Sequence, residues 1–193
     1  MGKRVRIAAA AMAAIGLLFV AWIYLPRHLG GPLGNGAGDL LCLPADREPD
    51  AALGMLVLEN TGDADVTLTG IYPVDAENLS IAEALLVPLS KDSLGLSSSI
   101  GWPLTTNRMA ELGDGWKQRR QLNGAVIPPQ AKSPRTRWSV LVHALRSDLE
   151  APGRTNGFEI EYESRGIKYR SELGTHHVLA PVSDCAKFES PTG

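Results

Sequence analysis

The side chains able to do chemistry are few and scattered. The 193-residue chain has four histidines, His28, His143, His176 and His177, and two cysteines, Cys42 and Cys185. His176 and His177 are adjacent, and neighbours on a strand point to opposite faces, so they do not easily share one metal ion. A site joining one of them to Asp184 or Cys185 is the weaker option. His143 lies inside an apolar run, the setting of a satisfied core residue rather than a general base. A blue-type copper centre needs a Cys-His-Met cluster near the C-terminal strand, and that is missing. Ser97-Ser98-Ser99 lacks the Gly-x-Ser-x-Gly frame of an exposed nucleophile, and no helix visibly follows it. No glycine-rich phosphate loop follows a strand, and no His-Glu-x-x-His motif occurs. Carboxylates that meet only in the fold can still assemble a hydrolase site, so the missing motifs weigh little. No catalytic, cofactor-binding or metal-binding residue is assigned from the sequence.

The cysteines bracket most of the chain. There is no Cys-x-x-Cys, and neither cysteine has a ligand-spaced histidine close by, so a structural disulfide is the better reading outside the cytoplasm. Closing a loop of about 140 residues contributes roughly 4–5 kcal/mol in the chain-entropy model, though measured values are often smaller. Such a bond is expected to fasten the first strand to the last.

The compartment follows from the N-terminal segment. Residues Ile7–Leu25 carry no charge and no proline. As a helix they span roughly 28 Å, close to the hydrocarbon thickness of a bilayer, and satisfy their own backbone groups. Trp22 and Tyr24 stand at the outer end, where amphipathic rings prefer the interface. Lys3, Arg4 and Arg6 precede the span, which places residues 1–6 in the cytoplasm and everything after Leu25 outside. A cleaved signal peptide is the competing reading. Pro26-Arg27-His28-Leu29 offers no small-residue cleavage site, and Gly34-Asn35-Gly36 is a distant one that would release a secreted domain.

Residues 26–39 are rich in glycine and read as a flexible tether. Residues 40–189 then form the extracytoplasmic domain, with 190–193 as a tail. Setting aside Lys3, Arg4, Arg6 and Arg27 leaves 15 bases against 21 acids, a net charge of −6. Such a domain is a poor partner for nucleic acid or anionic lipid.

Within the domain the apolar pattern is that of strands. Leu53–Glu59 is short and apolar, and Asn60-Thr61-Gly62-Asp63 follows as a turn in which Gly62 can take positive φ. Val66, Leu68 and Tyr72 mark one face of the next strand, so the two read as a β-hairpin. Leu79–Leu89 suits a helix by propensity but alternates at Leu79, Ile81, Leu85 and Val87, and its neighbours favour a strand. Trp138–Leu145 is nearly continuous in apolar residues and reads as a central strand covered on both faces. Phe158, Ile160 and Tyr162 alternate with glutamates, and Ile167, Tyr169 and Leu173 resume the alternation after Arg165-Gly166. That is a hairpin with glutamates facing Lys168 and Arg170. Val178–Val182 adds a last strand.

These elements predict an all-β fold, an antiparallel β-sandwich. The runs VLENTGDADVTLTGI, VIPPQ and FEIEYESRGIKYR, within residues 53–75 and 126–173, resemble the strand pattern of bacterial immunoglobulin-like domains. The whole chain resembles uncharacterised single-pass membrane proteins of high-GC Gram-positive bacteria. The resemblance implies an adhesion or binding role by analogy, and it assigns no functional residue.

The irregular stretch Ser90–Gln130 is long for a loop. Asn107–Leu112 can form a helical turn, ended by Gly113-Asp114-Gly115. Trp102, Trp116, Arg119 and Arg120 lie here, residue types favoured as interface anchors. The plainer alternative is that both indoles cover an open end of the sandwich while the bases are solvated. The expected partner is an envelope protein or a cell-wall component. An enzyme or metal-handling site assembled only in the fold remains the alternative.

Overall fold

The computed structural model describes residues 31–35, 38–90, 96–134 and 136–188. The predicted span Ile7–Leu25 lies outside them, and among the described residues no helix is long and apolar enough to cross a membrane. In chain order the strands begin with β1 (Leu33–Asn35), β2 (Leu40–Pro44), β3 (Asp50–Asn60), β4 (Val66–Pro73), β5 (Ser80–Ser90) and β6 (Ser99–Ile100). Helix α1 (Thr106–Lys117) precedes β7 (Arg120–Gln121), β8 (Val126–Ile127) and a 3-10 turn at Gln130–Lys132. Then come β9 (Thr136–Leu145), β10 (Gly153–Thr155), β11 (Phe158–Ser164), β12 (Ile167–Leu173), β13 (His176–Ala180) and helix α2 (Val182–Phe188).

The strands form three sheets, mostly antiparallel, so the fold is all-β. The largest runs β1-β3-β9-β5-β7, with β6 beside β3; a second runs β12-β11-β4-β8; a third runs β10-β13-β2. The first two share the main core. Leu56 and Leu58 of β3, Leu86 of β5 and Val140 and Val142 of β9 meet Val66 and Leu68 of β4 and Phe158, Ile160 and Tyr162 of β11. In the third sheet β13 pairs β2 in parallel, His176 against Leu40 through Ala180 against Pro44.

The run at Trp138–Leu145 is a central strand, as its composition requires. β9 lies between β3 and β5, and Leu141 sits in a second cluster on the face away from the main core, with Ala52, Leu85, Val87, Leu89, Leu96 and Leu104. Leu79–Leu89 resolves as strand β5 rather than helix. The β11–β12 hairpin turns at Arg165 and Gly166, both with positive φ (53° and 72°), as a two-residue loop between right-twisted strands demands. Glu161 faces Arg170 and Glu163 faces Lys168; Arg170 bonds Glu161 and reaches Glu159 at 3.1 Å.

Four expectations are corrected. The predicted hairpin of Leu53–Glu59 with Val66–Tyr72 is an arch, because β3 and β4 belong to different sheets and face each other across the core. Buried Asn60 shapes the arch: its amide donates to the carbonyls of Ala64 (2.8 Å) and Ile127 (2.9 Å) and its oxygen accepts from the Gly62 amide. Gly62 does not take positive φ; a Cβ there would stand 2.7 Å from Pro32. Residues 33–35, read as tether, form β1 against β3, and Leu33 is buried in the core. The predicted stop of the 107–112 helix is met at Gly113, which leaves the helical conformation (φ 53°, ψ −132°), and a further turn follows the kink to Lys117. The last strand ends at Ala180, and Val182–Phe188 is helical instead.

Candidate functional site

Leu96 and the segment from Trp102 to Trp116 pack over the outer face of the largest sheet, with β6 between them on the sheet's edge. Trp102, Met109 and Trp116 pack against the second apolar cluster, so the indoles cover a sheet face rather than an open end of the sandwich. Trp102 stacks on the His143 ring, centroids 4.7 Å apart and planes within 8°. His143 Nε2 is 2.6 Å from Asp50 Oδ1. The Arg119 guanidinium lies 4.3 Å from the centre of the Trp116 ring and donates to the Trp116 carbonyl at 2.9 Å. The fold therefore gathers Trp102, Trp116 and Arg119 around one cluster.

Arg120 does not join them. It stands opposite Leu86, whose side chain belongs to the main core, and its guanidinium lies 5.2 Å from the Trp138 ring. Cross-strand partners share a face, so Arg120 points to the other side of the sheet from Trp116.

Sequence reasoning missed Asp50 as the partner of His143. The two are 93 positions apart, and the pairing of Ala52 with His143 is what brings them together on one face. His143 is satisfied, but at the edge of the outer face rather than in the main core. Glu83 is its cross-strand neighbour on the other side and accepts a hydrogen bond from Gln121 at 2.7 Å.

Among the described residues the fully buried imidazole is His177; His176, on the other face of β13, is exposed, as the alternation of a strand requires. His177 Nε2 lies 3.4 Å from Ser98 Oγ, which accepts from the Gly54 amide at 2.8 Å. This is a serine–histidine contact within the Ser97-Ser98-Ser99 triplet, yet it does not make a nucleophile. Both side chains are buried, and Nδ1 makes no well-formed hydrogen bond that would orient the ring. Burial pushes the His177 pKa down to about 4; nearby backbone of Thr175 and Gly54 opposes the shift and His176 adds to it.

That shift has a consequence for acid stability. In the folded protein His177 stays neutral, whereas the unfolded chain takes up its proton below the ordinary histidine value of about 6.5. Stability is full above that value and falls as pH drops toward 4, by about 3 kcal/mol in all. Urea denaturation at pH 7.5 and 4.5 should show this loss in the native chain and a clearly smaller one in His177→Gln. Equal losses would show that other groups set the acid response.

Cys42 and Cys185 are disulfide-bonded, with Cα atoms 5.5 Å apart and 143 positions between them. The bond ties β2 to α2, not to the last strand, and with Val178 and Ala180 it forms a small third cluster. Among the described residues no group of three or more His, Cys, Asp or Glu side chains is placed to hold a metal ion.

Arg146 carried no signal in the sequence beyond following an apolar strand. It is 2% exposed. Its Nη2 donates to the carbonyls of Ala45 (2.6 Å), Asp46 (3.2 Å) and Glu48 (3.4 Å), joining the β2–β3 connection to the end of β9.

No family model matches the chain, and no curated protein matches it. A solved structure, of the Vibrio cholerae VesB protease, is similar over 77% of this chain and 32% of that one, at 12% identity and a TM-score of 0.33. The chain spans about a third of that protein's length, and a likeness this slight carries no argument about fold or activity.

Proposed function

We propose that this is a single-pass membrane protein with its N-terminus in the cytoplasm, whose extracytoplasmic domain is an immunoglobulin-like β-sandwich that binds an envelope protein or a cell-wall component. Ile7–Leu25 supplies the anchor. The Cys42–Cys185 bond fits an oxidising compartment. Two sheets packed through one core fit the sandwich, although the parallel β2–β13 pair is an addition to a purely antiparallel plan.

The observation that carries the binding role is the convergence of Trp102, Trp116 and Arg119 on one outer face. Both indoles are anchored from beneath and neither is fully buried, the condition of a preformed contact surface. The test is crosslinking of the full chain in its own membrane, followed by affinity measurement on the captured partner. Trp102→Ala with Trp116→Ala should weaken that affinity by about tenfold or more, as loss of two aromatic anchors does. Unchanged affinity in a normally folded double variant would remove this face as the interface.

The second reading, an extracytoplasmic enzyme or metal-handling protein, draws on the His143–Asp50 pair. It requires His143→Gln to abolish a turnover that the tryptophan variants leave in place.

A further inference from the structure

The strands define a long axis with two unlike poles. At one pole lie the β3–β4 arch, the β11–β12 turn and the 3-10 turn. Arg165 pairs with Asp63 there, Ser164 bonds the Asp65 carbonyl, and Gln130, Ala131 and Pro134 share an open hollow with Asn60, Thr61 and Gly62. At the other pole lie the third sheet, Arg146, the disulfide and the Ser147–Ala151 loop bonded to Asn78. β3 alone, at 11 residues, sets these poles about 35 Å apart.

The chain enters this body at the first pole and is pinned there. The Pro32 carbonyl accepts from the Thr61 amide (2.8 Å) and the Thr61 hydroxyl (2.9 Å). Leu33 faces Asn60 and is buried. Gly31 passes so close to the Tyr162 ring that a Cβ would stand 1.9 Å from the phenol oxygen. Only six residues, 26–31, separate Leu25 from Pro32, a stalk of at most about 25 Å.

We propose that the pole carrying Thr61–Asp65, Gln130–Pro134 and Arg165-Gly166 rests against the lipid headgroups, and that the disulfide pole faces away from the membrane. This rests on the reading of Ile7–Leu25 as a membrane span. The stalk is shorter than the domain is long, so inversion would drive the far pole into the bilayer. The near pole, with its ionised turns, suits hydrated headgroups rather than hydrocarbon. Trp102, beside His143 and Asp50, then stands in the outer half of the domain. Trp116 stands nearer the membrane, since Gly115 lies against the Pro88 carbonyl toward the other end of β5.

The test uses the full chain in liposomes that contain acceptor-labelled headgroups. A donor dye is placed on a single introduced cysteine, Asp63→Cys in one sample and Glu150→Cys in another, with the native disulfide intact. Transfer from position 63 should exceed that from 150 severalfold. A flexible insert of about twenty glycines and serines between Gly30 and Gly31 should erase most of the difference, because the stalk then outreaches the domain. Equal transfer from both sites in the native chain, or a difference untouched by the insert, would overturn the proposal. Absence of transfer from either site, with protein stripped by alkaline carbonate, would instead sink the membrane-span reading.

Discussion

Replacing Cys42 and Cys185 together by serine is expected to lower stability by about 4–5 kcal/mol. The bond closes a loop of 143 positions, and restraint of the unfolded chain grows with the logarithm of loop length. Little native packing depends on it: among the described residues the buried cluster around the pair holds Val178 and Ala180 alone. The cost therefore falls mainly on the unfolded state. Urea titration of the double variant should show a midpoint well below that of the native chain, and a difference under about 1 kcal/mol would mean the unfolded chain is already compact. A local effect should accompany it. α2 has seven residues, too short to persist unaided, and hydrogen exchange in α2 should rise more than in β9.

Replacement of Arg146 by methionine should cost about 3–5 kcal/mol. Methionine keeps the apolar stem but removes the donor that serves the carbonyls of Ala45, Asp46 and Glu48. Two effects oppose each other. A buried guanidinium with no carboxylate among these partners is costly to desolvate, and its removal recovers that cost. The carbonyls it leaves behind are held inward by the Ala45–Ala180 backbone bond and by Arg146's own amide bond to Pro49, so they cannot all turn to water. Orphaned carbonyls are expected to win. Lysine should recover part of the loss, since it supplies one cation in place of a fork. Denaturation of the methionine and lysine variants side by side gives the ranking, and methionine as stable as arginine would refute it.

Local patterns were legible in the sequence where one face alone is buried. The β11–β12 hairpin shows it best: alternating Phe158, Ile160 and Tyr162, a turn at Arg165-Gly166 and opposed charges each mark the same register. β9 was legible for the converse reason, because a strand covered on both faces has no polar side. The β3–β4 relation was not. A hairpin and an arch between sheets present the same two alternating runs and the same polar turn, and only the identity of the sheet partners separates them. β1 was hidden by the glycines around it, which suggest a free linker, although Gly31 just before it permits close passage over Tyr162. Of the candidate site, the residue types were readable and their grouping was not. Arg119 and Arg120 are neighbours in the chain yet serve opposite faces, Asp50 meets His143 through cross-strand register, and His177 meets Ser98 only through packing between sheets.

The parallel pairing of β13 with β2 also constrains how the protein can be made. A ribosome delivers the chain from one end, and β2 emerges with its eventual neighbour more than a hundred residues behind it. Its pairing edge must stay vacant until residues 176–180 emerge, and the edge of β3 that awaits β9 until residues 136–145 do. Two events, seating of β13 and oxidation of Cys185, must wait until residues 176–180 and 185 have emerged. The newborn chain therefore carries exposed strand edges for longer than a simple meander would, and it should depend on holding factors until β13 is free to pair.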